Sequence, residues 1–77
     1  MTTLDTLPVG RSAKVRAVEG EKVLRRRLLE MGITPGTTIT IKKIAPMGDP
    51  IELLLRGYVL SLRKADAKNI TITQEEG

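Results

Sequence analysis

The densest run of side chains suited to recognition chemistry is Lys22-Val23-Leu24-Arg25-Arg26-Arg27-Leu28-Leu29-Glu30-Met31-Gly32. Arginine offers a planar, permanently charged fork of donors that matches carboxylates and phosphates. In a helix, at about 100° per residue, Leu24, Leu28 and Met31 share one stripe, with Val23 and Arg27 beside it. Leu29 projects away from that stripe, among Lys22, Arg25 and Arg26. One reading is a scattered surface leucine. The other is an apolar anchor ringed by cations, suited to an acidic protein groove. Arg27 borders the stripe, where its stem can pack inward while its guanidinium reaches a carbonyl or carboxylate. The candidate partner-binding residues are therefore Lys22, Arg25, Arg26 and Leu29, joined by Met47, which stands in a polar loop. Two further basic groups, Lys42-Lys43 and Arg63-Lys64-Lys68, read equally well as solvated surface.

Other chemistries lack their reagents. There is no histidine and no cysteine, so the usual transition-metal ligands, a disulfide framework and a catalytic thiolate are all missing. Met31 falls on the apolar stripe and reads as core, and Asp49 or Glu52 could offer only a weak, oxygen-only metal site. Ser12 and Ser61 lie in alternating segments with no imidazole to activate them. The seven glycines are dispersed at turns, unlike a phosphate-cradling loop that leads into a helix. No catalytic, cofactor-binding or metal-ligating residue is assigned, and the chain is expected to be neither an enzyme nor a cofactor carrier.

What remains is a surface. The 77 residues suffice for one domain, 1–77, which buries only ~60% of the area its unfolded chain exposes. Tyr58 is the one aromatic residue, so Leu, Ile, Val and Ala must fill the core. The net charge is +4, and with Glu75 and Glu76 set aside in an acidic tail over 74–77, residues 1–74 carry 13 basic against 7 acidic side chains, or +6. Such a surface suits nucleic acid, anionic lipid or an acidic protein. Single-strand nucleic-acid binding leans on aromatic platforms worth ~1–3 kcal/mol per base, and alternation places Tyr58 with Leu60 and Leu62 toward the core. No nucleic acid is expected as partner, and a proline-rich ligand, which needs an aromatic groove, is excluded likewise. Apolar runs such as Ile51 to Leu55 are too short to insert in a membrane. The residues after Met1 have neither the basic nor the apolar region of a signal peptide, and together with the lack of cysteine this points to the cytoplasm.

Proline and glycine cut the chain into short elements. Leu7-Pro8-Val9-Gly10 reads as a type I turn with Pro8 at its second position. Ser12 to Val18 alternates as a strand. Glu21 to Met31 is a helix, which Gly32 can end in a left-handed conformation with Ile33 as its apolar contact. Thr34-Pro35-Gly36-Thr37 is a type II turn that launches a strand from Thr38 to Lys42, and a slip in pattern at Lys43-Ile44 suggests a bulge. After the 46–50 loop, Ile51, Leu53 and Leu55 point inward, Arg56-Gly57 reverses the chain, and Tyr58, Leu60 and Leu62 return. Lys64 to Lys68 forms one helical turn, and Ile70 with Ile72 a closing strand. Five short strands and one helix inserted after the first give a mostly β fold, a small five-stranded SH3-like barrel.

The ordered set Leu7-Pro8-Val9-Gly10, Arg27-Leu28-Leu29-Glu30-Met31-Gly32-Ile33-Thr34-Pro35-Gly36, Gly48-Asp49-Pro50-Ile51, Arg56-Gly57-Tyr58 and Leu62-Arg63-Lys64-Ala65-Asp66-Ala67 resembles the FeoA family of bacterial ferrous-iron transport. The likeness covers about residues 4–73. It implies an SH3-like barrel and a cytosolic accessory or regulatory role, with the FeoB-type ferrous iron permease and its cytosolic GTP-binding domain as partner. It also implies kinship with the C-terminal barrel of iron-dependent repressors. A stand-alone repressor-like barrel and a basic RNA-binding barrel are the alternatives.

Overall fold

In the computed structural model residues 2–74 are described, so most of the acidic tail expected over 74–77 lies outside them. The strands are β1 (Ser12–Val18), β2 (Thr38–Ile44), β3 (Ile51–Leu55), β4 (Tyr58–Leu62) and β5 (Ile70–Gln74). Helix α1 (Lys22–Glu30) follows β1, and the short α2 (Lys64–Ala67) joins β4 to β5. All strand pairs are antiparallel, in the order β4-β3-β2-β1-β5.

Period-two alternation decides which side chains face inward. Ala13 and Val15, Ile39 and Ile41, then Ile51, Leu53 and Leu55 are buried, with exposed residues such as Lys14 and Arg16 between them. The sheet cannot be flat. A flat sheet with one helix laid on it would be about 20 Å deep, whereas the molecule measures 29 × 28 × 26 Å. Two irregularities supply curvature: the expected bulge, between Ile41 and Lys43, and a second between Val15 and Ala17. The sheet therefore rolls into an SH3-like barrel whose edge strands are β4 and β5, with α2 crossing between them. A 3-10 turn at Leu4–Thr6, which the alternation did not disclose, adds buried Leu4 and Leu7 and packs against α2.

The helix ends as its sequence indicates. Gly32 has φ +97°, its N–H bonds Leu29 O at 3.0 Å, and Ile33 N–H bonds Leu28 O at 3.1 Å. This is the Schellman pattern, and its apolar partners Leu28 and Ile33 are both fully buried. The turn at 34–37 closes through Thr37 N–H to Thr34 O with Gly36 at φ +92°. Arg56 and Gly57 both have positive φ, 48° and 82°, which makes a two-residue hairpin turn of the primed type.

Two expectations require correction. The first turn closes from Pro8 O to Arg11 N–H, with Gly10 at φ +87° as its third residue, so it sits one residue later than read and is of type II. Tyr58 points to the inner side, opposite Leu55, yet it is 42% exposed. Strand β4 is an edge, so the ring is covered on one side only, and its hydroxyl donates to the Met31 carbonyl.

A Cβ at Gly32 would stand 3.1 Å from Tyr58 Oη, whereas one at Gly36 would meet nothing within 4 Å. Both substitutions carry the left-handed cost of roughly 1–2 kcal/mol. Gly32→Ala is expected to lower the urea midpoint more than Gly36→Ala, with unchanged m-values. Equal midpoints would mean that the Tyr58–Met31 junction yields freely.

Candidate partner-binding site

Helix α1 meets the barrel along a narrow line. Leu28 is fully buried, and Leu24 and Met31 pack against the core from partly buried positions. Val23, placed beside this stripe by the sequence reading, is instead 78% exposed, and Leu29 is 39% exposed. The stripe is too narrow to reach Val23, about 100° from its centre.

That displacement enlarges the outer face. Arg26 lies three residues from both Val23 and Leu29, and residues at this spacing are neighbours on a helix surface. Lys22, Val23 and Arg26 line a shallow depression of ≈ 280 Å³. Lys22, Arg25 and Arg26 are exposed, and among the described residues none of the three forms an ion pair. The structure thus gathers Lys22, Arg25, Arg26 and Leu29 on one helix and adds Val23, which the i, i+3 relation to Arg26 would have revealed.

Arg27 behaves differently from its neighbours. Its Nη2 reaches Asp66 Oδ2 at 3.3 Å, linking α1 to α2 as its border position suggested. Met47 is 93% exposed in a separate loop, which is tied to α2 where Lys64 N–H donates to Asp49 Oδ1 at 2.9 Å. No hydrogen bond or ion pair among the described residues joins that loop to α1. The second basic group, Arg63, Lys64 and Lys68, is exposed around α2.

A tight ferrous site would need several converging donors. Among the described residues no three carboxylate, imidazole or thiolate side chains come together. Asp49 is engaged with α2, and Glu52 faces Ser61 and Lys43 across neighbouring strands. The donor set of the described residues does not fit such a metal.

Residues 2–74 match the FeoA domain family. The chain belongs to the FeoA family. It is 42% identical over 69 residues to a Porphyromonas gingivalis protein described as a fusion of Fe(2+) transport protein A with the Fe(2+) transporter FeoB. The match covers 90% of this chain and 8% of that fusion protein. A FeoA-like protein from Clostridium acetobutylicum has a solution structure with 44% identity and a TM-score of 0.89, covering 100% of this chain and 93% of that one. Stenotrophomonas maltophilia FeoA, a prokaryotic SH3 domain protein crystallised with zinc, has 27% identity and a TM-score of 0.83, over 95% of this chain and 91% of that one. The chain thus spans a small fraction of the length of that fusion relative, and the SH3-like architecture agrees with the strand pattern.

The Arg27–Asp66 pair has side chains 60% and 19% exposed, so solvent screens it. A double-mutant cycle with Arg27→Met and Asp66→Asn is expected to give a coupling below about 1 kcal/mol. Repeating the urea melts at about 1 M salt should shrink it further. A larger, salt-insensitive coupling would assign the pair a buried structural role.

Proposed function

We propose that this chain is a cytoplasmic accessory of bacterial ferrous-iron uptake, and that it binds the FeoB-type permease at its GTP-binding domain through the outer face of α1. The observation that carries this reading is the exposed pair Val23 and Leu29, set among Lys22, Arg25 and Arg26, which have no ion-pair partners among the described residues. An apolar centre with a cationic rim suits an acidic patch on another protein. The fusion relative supports the choice of partner, because it carries both components on one chain. Covalent linkage raises the effective concentration of two modules toward millimolar, which is useful when their intrinsic affinity is modest. No helix among the described residues is long and apolar enough to cross a membrane.

An NMR titration of the labelled chain with the permease's GTP-binding domain, in both nucleotide states, tests the proposal. Amide shifts are expected along residues 22–29. The double variant Arg25→Glu/Leu29→Asp should weaken binding by about tenfold or more, since a lost anchor and a reversed rim charge together exceed about 1.4 kcal/mol. Equal affinity of variant and parent rejects this face.

A further inference from the structure

The two edges of the rolled sheet are treated differently. Strand β5 is covered by the N-terminal segment: Ile72 N–H donates to Thr2 O at 2.9 Å, and Thr3 bridges Thr71. Among the described residues strand β4 has no such cover. Its five residues, Tyr58-Val59-Leu60-Ser61-Leu62, contain no charge and no proline, and they pair with β3 in unbroken register. Edge strands are usually blunted by charge, proline or a bulge, because free backbone groups invite another chain. Here none of those devices is present.

The hairpin geometry identifies the free groups. A two-residue turn at Arg56-Gly57 makes Leu55 and Tyr58 the closing hydrogen-bonded pair. Alternation then turns the N–H and C=O groups of Tyr58, Leu60 and Leu62 toward β3, and those of Val59 and Ser61 outward. No backbone bond outside the strand ladders reaches Val59 or Ser61 among the described residues. The Val59 side chain is itself 52% exposed. Beside this edge runs a cleft of ≈ 420 Å³ between Arg27 of α1, its C-cap Met31, Ser61 and Leu62 of β4, Arg63 just after the strand, and Asp66. A helix lying next to an unpaired strand edge is the arrangement by which several domains accept an extended peptide as an added strand.

Charge narrows the choice of occupant. Arg56 stands just before β4, and Arg63 with Lys64 just after it. The Arg56 guanidinium is held by the hydroxyls of Thr34 and Thr37, each at 3.0 Å, not by a carboxylate. Asp66, the one acid lining the cleft, is already paired with Arg27. A second copy of the chain is a poor fit, because full antiparallel overlap of two β4 strands sets Lys64 opposite Arg56, and like charges facing each other repel.

We propose that β4 accepts an extended, acidic-flanked segment of another protein as a sixth strand, bonded to the outward backbone groups of Val59 and Ser61. The surface is distinct from the outer face of α1, so the two proposals stand or fall separately.

The test uses the labelled full chain and a short acetylated, amidated peptide of alternating valine and threonine with paired glutamates at both ends. A lysine-ended version is the control. The expected result is saturable shifts and slowed exchange at the Val59 and Ser61 amides with the acidic peptide, and weaker binding of the basic one. Ser61→Pro removes only an outward donor, a position where an edge strand tolerates proline. It should keep the remaining spectrum and weaken the peptide by about tenfold, the loss of one hydrogen bond and its fit. Absence of shifts, shifts confined to residues 22–29, undiminished binding by Ser61→Pro, or a β4-to-β4 dimer would each overturn the proposal. Should Ser61→Pro fail to fold, Arg63→Glu decides: a reduced preference for the acidic peptide upholds it, and an unchanged preference overturns it.

Discussion

The burial of Leu28 is the contact on which the rest of the structure depends. A barrel without Phe or Trp has no large flat side chain to seal its open side, and a chain this short has little core to spare. Helix α1 supplies the seal with one fully buried residue, and the turn that follows locks it by burying Ile33 against Leu28. The same narrow contact leaves most of the helix circumference in water. Anchoring and display are thus two sides of one arrangement.

Charge follows the same division. The described ion pair, Arg27 to Asp66, sits at the border of the buried stripe and joins two helices. The cations farther round the helix, Lys22, Arg25 and Arg26, are left without such partners among the described residues. An unpaired exposed arginine is inexpensive to keep solvated, and its field extends about 8–10 Å at physiological salt. It therefore contributes little to folding while remaining available to steer an acidic surface.

Strands and helix were legible in the sequence wherever one periodicity ran uninterrupted. Ser12–Val18 and Ile51–Leu55 alternate cleanly, and the slip read at Lys43-Ile44 signals a bulge that the structure has just before it, between Ile41 and Lys43. Lys22, Arg25, Arg26 and Leu29 could be gathered from helical spacing alone. Tyr58 and Val23 were not legible, for a common reason. Periodicity fixes the direction of a side chain, but whether anything covers it depends on neighbours distant in sequence. Tyr58 faces inward from an edge strand, and Val23 lies just beyond the contact line of α1. The second bulge, between Val15 and Ala17, is likewise set by pairing with β5, fifty or so residues away, and the Leu4–Thr6 turn by packing on α2.

The hydroxyl of Tyr58, bound to the last carbonyl of the α1 cap, has an optical consequence. With no other tyrosine and no tryptophan, near-ultraviolet absorbance and emission originate in a single ring at the seam between helix and barrel. The molecule carries its own chromophore at the place where a loosening of α1 would first be seen, and no attached dye is needed to watch it.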